Sequence, residues 1–214
     1  MSSDVNNPSV AVIDAGVGNL GNLVRAVRHL GAACEVTSDP ATVAEARVLL
    51  LPGVGAFRPP RETLRGGLEE AIREALDGGA WLLGICVGYQ LLFEAGVEHG
   101  RCDGLGLLPG TVERLPAGVP LPHIGWNRLE LDGDVAEHPL FAGIPAGSYF
   151  YFVHGYAPLE LPAGVTLATA VHGARFAAVA GRGRVFGTQF HPEKSGRRGL
   201  TLLGNFLAMA EKET

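Results

Sequence analysis

The chain has 214 residues, 47% hydrophobic and 18% charged, which is enough for one sizeable core. A net charge of -5 offers no basic footprint for nucleic acid or an anionic membrane. Cys34, Cys86 and Cys102 form an odd set without metal-ligand spacing, which suggests a reducing compartment, and no apolar run reaches membrane-spanning length.

Residues 1–8 are polar with no signal-peptide core, so the expected location is the cytosol and this stretch is expected to be disordered. Residues 9–214 read as one domain. Val10 to Ile13 reads as a buried strand, and Leu20, Leu23, Val24, Val27 and Leu30 then fall at helical spacing until Gly31. Cys34 to Thr37 is a short strand, and Val43 to Ala46 lies in a brief helix after Pro40. Val48 to Leu51 is another buried strand, expected to end at Pro52-Gly53. Leu64, Leu68, Ile72, Ala75 and Leu76 mark one longer helix closed by Gly78-Gly79, with Arg58, Arg61, Arg65 and Arg73 as its solvated face. Ala80 to Ile85 is a strand, and Gln90 to Phe93 starts a helical pattern. Strands separated by helices predict an α/β fold, a three-layer sandwich around a mainly parallel sheet with sites at the strand C-terminal ends.

After about residue 100 the texture changes to short strands between Pro/Gly turns. Candidates are Thr111 to Glu113, Asn127 to Leu131, Tyr149 to Val153, Val165 to Ala170, Phe176 to Ala180 and Arg184 to Phe190. His172-Gly173 and Gly181-Arg182-Gly183 read as hairpin turns. A closing helix runs from about Arg198 to Ala210. His29, His138 and His172 read as structural or solvated.

The chemistry concentrates in two blocks. In Leu82-Leu83-Gly84-Ile85-Cys86-Val87-Gly88-Tyr89-Gln90 an apolar strand ends on a cysteine bracketed by glycines, with a helix at once behind it. That is the pattern of a nucleophile elbow, whose bend holds one reactive side chain in strained backbone. A lone cysteine in an apolar run is by itself most often a small core residue. The second block, Val185 to Ser195, removes that reading. It delivers His191, then Pro192 and Glu193, so the chain holds a thiol, a base and an orienting carboxylate.

Gly16-Val17-Gly18-Asn19-Leu20-Gly21 also matches G-x-G-x-x-G after a strand, with Glu35 at the next strand, so a nicotinamide- or flavin-binding domain is an alternative. Asn19 is bulky for close pyrophosphate approach, and the hairpins of the second half leave no second βαβαβ unit.

At these residues the chain resembles the class I, triad-type glutamine amidotransferases. The matching blocks are Leu51 to Phe57, Gly84-Ile85-Cys86, Gln90 to Phe93, Pro122 to Asn127, Tyr151 to His154 and Gly187 to Ser195, in family order over nearly the whole chain. The Pro52 to Phe57 and Pro122 to Asn127 blocks resemble the branch that serves as glutaminase subunit of imidazole glycerol phosphate synthases. The resemblance implies a flavodoxin-like fold with added antiparallel hairpins, no cofactor and no metal. It implies Cys86, His191 and Glu193 as catalytic triad, glutamine as substrate, and oxyanion donors at Val87 and in Gly53-Val54-Gly55. Gln90 and Tyr151 correspond to substrate-binding positions, and His154 to one bordering the substrate or the partner. Trp126, Asn127 and Lys194 correspond to the interface with a TIM-barrel cyclase subunit, which uses the ammonia to form imidazole glycerol phosphate and AICAR in histidine biosynthesis. Alternatives are a glutaminase for another acceptor, as in vitamin B6 synthesis, a hydrolase or chaperone-like protein with the same elbow, or a non-catalytic subunit of the same fold. Ala15, Val87, Tyr89 and Gly155 depart from the family pattern. None touches the triad.

Overall fold

A computed structural model describes residues 10–18, 20–131 and 137–212. The expected disorder of residues 1–8 and the role of Asn19 lie outside them. In chain order the first half runs β1 (Val10–Ile13), α1 (Leu20–His29), β2 (Cys34–Thr37), α2 (Pro40–Glu45), β3 (Val48–Gly53), α3 (Arg58–Leu64), α4 (Leu68–Asp77), β4 (Trp81–Cys86) and α5 (Val87–Gln90). The second half is β5 (Phe93–Gly96), β6 (Cys102–Asp103), β7 (Leu108–Arg114), β8 (His123–Arg128), β9 (Tyr149–His154), β10 (Tyr156–Pro158), β11 (Thr166–His172), β12 (Ala174–Arg182), β13 (Val185–Thr188) and α6 (Gly196–Lys212).

The central sheet has seven strands in the order β11-β12-β13-β4-β3-β1-β2. From β13 to β2 neighbours run parallel, and β12 and β11 add an antiparallel edge. The parallel strands β3 and β4 are buried along their whole length, which explains why they read as unbroken apolar runs. Their side chains join one hydrophobic cluster with the inner faces of α1, α4 and α6. A four-stranded sheet, β10-β7-β5-β6, and the antiparallel pair β8-β9 are added to it, and the Val153 carbonyl of β9 reaches Cys86 at the end of β4. The α/β class, the parallel sheet and the added hairpins are as expected.

Five expectations are corrected by the structure. The strand through Val48 does not stop at Leu51: Pro52 and Gly53 remain in β3, opposite Ile85 and Cys86. The single long helix is two, because Gly67 takes a φ of 103° between α3 and α4. Arg61 is not solvated; it is buried, bonded to the Asp103 carbonyl at 2.9 Å and paired with Glu69 at 2.7 Å. The helix after the elbow lasts one turn. The backbone N–H groups of Leu105, Leu107 and Gly106 donate to the carbonyls of Leu91, Leu92 and Phe93, and Phe93 turns into β5. The strand expected from Asn127 also begins earlier, at His123, where Pro122 and Gly125 in the sequence disguise it.

Candidate active site

Register brings the site together. In the sheet, β4 lies between β3 and β13, with Gly53 opposite Cys86 on one side and Thr188 opposite Ile85 on the other. The loop after β3 and the chain leading to His191 therefore flank the same strand end.

Cys86 sits at φ 57° and ψ -110°, a region that a non-glycine residue enters only when its surroundings hold it there. The close approach of the elbow to its neighbours does this. A Cβ on Gly88 would lie 1.8 Å from the Leu51 carbonyl oxygen, and one on Gly84 would lie 2.7 Å from the Gly88 carbonyl oxygen. Both positions exclude any side chain. Tyr89, one of the departures from the family pattern, packs over Gly187, and its hydroxyl donates to the Ala177 carbonyl at 3.1 Å. It braces the elbow against β12 and β13.

His191 leaves the sheet beyond β13 and is pinned by a closed set of bonds to β9. Its N–H donates to the Tyr151 carbonyl at 3.0 Å, the Tyr151 N–H donates to Ser195 Oγ at 2.9 Å, and that hydroxyl donates to the His191 carbonyl at 2.6 Å. Pro192 opens a short 3-10 turn that swings Glu193 back, so His191 Nδ1 donates to Glu193 Oε1 at 2.8 Å. With Nδ1 occupied, Nε2 is the nitrogen left for the thiol. It is buried and has no partner at ordinary hydrogen-bond geometry among the described residues, while the Cys86 thiol donates weakly to the Val153 carbonyl at 3.7 Å. Burial pulls the His191 pKa down, but bonding and charge from Cys86 and Glu193 outweigh it and raise it to about 9. The imidazole is therefore a strong proton acceptor for the neighbouring thiol.

A cavity of about 40 Å³ opens at Cys86, lined also by Gly55, Val87, Gln90, Glu98, Val153, His154, Gly155 and Tyr156. It is far smaller than a ligand pocket of ordinary size, so an amino-acid substrate needs it to widen. Gln90 is buried, not a solvated helix residue. Its Nε2 donates to the Tyr156 carbonyl at 2.8 Å and to Gln189 Oε1 at 3.1 Å, so the amide orientation is set and Oε1 is its acceptor. Glu98 was not singled out in the sequence, because nothing in its loop marks it. Its Oε2 accepts the Phe57 N–H at 2.9 Å, tying it to the loop that contains Gly55. A half-buried carboxylate here suits an ammonium group. Larger grooves exist elsewhere, such as one of about 410 Å³ lined by Arg47, Trp81 and Arg184, but that lies at the opposite end of the sheet.

Of the expected oxyanion residues, Val87 and Gly55 line the cavity; Gly53 pairs with Cys86 in the sheet, and Val54 links Gly53 to Gly55. Tyr151 does not line it. Its backbone holds the His191 turn and its ring meets Trp126 edge-on at 6.2 Å. Trp126 is 56% exposed, beside Ile124 at 62% and Tyr149 at 56%, so the tryptophan is not core. The Asn127 amide is engaged internally with Val171 and His123, and Lys194 is half-buried at the end of the 3-10 turn.

The family model for glutamine amidotransferase class-I matches residues 11–210. The chain belongs to the class-I glutamine amidotransferases. A relative from Moorella thermoacetica, "Imidazole glycerol phosphate synthase subunit HisH", is 48% identical over 92% of this chain and 93% of its own length. A protein of the same name from Symbiobacterium thermophilum is 48% identical over 92% of both chains. A solved structure described as a glutamine amidotransferase superposes with a TM-score of 0.74 over 94% of this chain and 98% of its own, at 23% identity, which shows the shared fold. As a class-I amidotransferase the chain is an enzyme, and the dinucleotide alternative for the Gly16 to Gly21 segment falls away. Among the described residues of this amidotransferase no helix is long and apolar enough to cross a membrane.

Proposed function

We propose that this amidotransferase is the glutaminase subunit of an imidazole glycerol phosphate synthase, acting through Cys86, His191 and Glu193. The observation that carries the reading is the elbow: Cys86 at φ 57°, beside an imidazole whose other nitrogen is held by a carboxylate at 2.8 Å. The likeness to relatives named as subunits of that synthase supports the acceptor and the partner.

His191 Nε2 takes the Cys86 thiol proton, and the thiolate attacks the side-chain amide carbon of glutamine. The oxyanion is stabilised by the Val87 N–H and a second N–H from Gly53-Val54-Gly55, each such donor worth roughly 3 kcal/mol of barrier. His191 returns its proton to the nitrogen, the C–N bond breaks, and ammonia leaves the γ-glutamyl thioester. Water then attacks the thioester as His191 takes its proton. The C–S bond breaks, the thiolate regains the proton, and glutamate departs. Gln90 and Glu98 hold the polar ends of glutamine. Tyr151 acts on the substrate only through the backbone of the His191 turn.

The ammonia passes to a TIM-barrel cyclase subunit, which docks on the face carrying Trp126, Asn127 and Lys194. Residues 9–214 act as one domain, and the place of action is the cytosol. The test is glutamate release from glutamine by the chain alone, then with the cyclase subunit and its nucleotide ligand, with Cys86→Ala as the blank. Low release alone, a large rise with partner and ligand, and none in the variant is the expected result. No release under any condition ends the enzymatic reading.

A further inference from the structure

Besides His191, the cavity wall leads to a second set of buried histidines that the triad does not use. His123 stacks on His172 with ring centres 4.1 Å apart and on Phe152 at 5.1 Å, and His154 meets Phe176 edge-on at 5.0 Å. One atom fixes the direction of every bond that follows. His154 Nδ1 lies 2.9 Å from the Tyr156 carbonyl oxygen, which only accepts, so Nδ1 carries the hydrogen. The Nε2 of neutral His154 is then an acceptor, and His123 Nδ1 donates to it at 3.1 Å. That leaves His123 Nε2 to accept from Asn127 Nδ2 at 3.3 Å, and the same Nδ2 donates to the Val171 carbonyl at 2.9 Å. Neutrality is set by the surroundings: burial first, then nearby imidazoles, take His123 to about 4 and, against the bond to Tyr156, His154 to about 3.

The relay has a distinct residue at each end. Asn127 is the neighbour of exposed Trp126 on β8. The Tyr156 carbonyl accepts from His154 and also from Gln90, whose amide lines the cavity beside Cys86. We propose that Asn127, His123 and His154 form a one-way hydrogen-bond relay that positions the Tyr156 carbonyl and Gln90 against glutamine, so that events on the exposed β8 face reset the substrate pocket. This rests on the glutaminase-subunit reading. His123 and His154 are positioning residues; neither takes part in the chemical steps.

The test is His123→Phe, which keeps an aromatic ring in the stack and removes both of its hydrogen bonds. The glutamine KM is expected to rise about tenfold, as for one hydrogen bond to glutamine lost from the displaced Gln90, with kcat changing much less and stimulation by the cyclase subunit falling in step. His123→Asn, which restores a donor near the Nδ1 position, is expected to recover part of the KM. A purely structural role lowers Tm in both variants and leaves KM and stimulation as they were, and that result overturns the proposal. A long-range 1H–15N spectrum of the unmodified protein at pH 7 gives a readout independent of activity. His123 and His154 are both expected as neutral Nδ1–H tautomers; an Nε2–H tautomer at His154 rejects the relay even if the Phe variant fails to fold. If the unmodified protein releases no glutamate with its partner, the functional reading fails, while the tautomers still decide the relay.

Discussion

His191 and the pair His123–His154 are buried to a similar degree, at 2%, 5% and 6% exposure, yet their protonation is driven in opposite directions. At His191 the Nδ1 hydrogen goes to a carboxylate and the far nitrogen meets a thiol, and the pKa rises to about 9. At His154 the Nδ1 hydrogen goes to a neutral carbonyl and the far nitrogen meets another imidazole, and the pKa falls to about 3. Burial penalises the charged ring in each case. The chemistry of the two partners decides whether that penalty is overcome, which suits one histidine to proton transfer and two to fixed geometry.

The comparison breaks most sharply at Glu193. Glu193→Gln keeps the shape but supplies no negative charge and offers the ring either tautomer. At pH 7 partner-stimulated glutamate release is expected to fall by about 10²–10⁴-fold. A loss below fivefold removes the orienting role. Stability on the acid side tests the other group. His123 and His154 have folded pKa values below their ordinary 6.5, so their contribution is complete above pH 6.5 and declines as pH falls towards 4. The slope is up to about 1.4 kcal/mol per pH unit for each histidine. Urea midpoints from pH 4.5 to 7 are expected to be flatter in a His123→Phe, His154→Phe double variant than in the unmodified protein. Equal slopes contradict the neutral pair.

On the alkaline side the sign reverses. Because the folded pKa of His191 is raised, the stability it adds is complete below pH 6.5 and vanishes as pH climbs through about 9. The unmodified protein is expected to exceed Glu193→Gln by about 1–3 kcal/mol at pH 6, with the gap closing by pH 10. A constant gap means the pair is neutral throughout. The smallest effect lies at the junction of the two groups. A Cβ added to Gly155, between His154 and Tyr156, would meet nothing within 4 Å among the described residues. Gly155→Ser is expected to change stability by no more than about 0.5 kcal/mol, so a larger shift shows that the relay strand has no slack.

Much of this was legible in local pattern. The apolar runs of β3 and β4, the glycines around Cys86 and the step from His191 to Glu193 each encode backbone shape within a few residues, and the structure realises them as strands, elbow and turn. The position of the site at the strand ends followed from strand–helix alternation alone. Glu98 left no trace, because a carboxylate in a loop looks like any other until the loop is laid beside Phe57.

By itself, then, the sequence determined the class of fold and marked the cysteine, histidine and carboxylate of the proposed triad, since those depend on periodicity and on residue types that few backbones need in that order. Tertiary structure alone decided that the helix behind the elbow ends after one turn, that Gln90 turns its amide inward, and that Tyr151 serves the His191 turn by its backbone. It also decided that His123, His154 and His172, from three different strands, meet in one cluster. These outcomes depend on which donors and acceptors strand register sets opposite one another, and register joins residues whose separation in sequence carries no local signal.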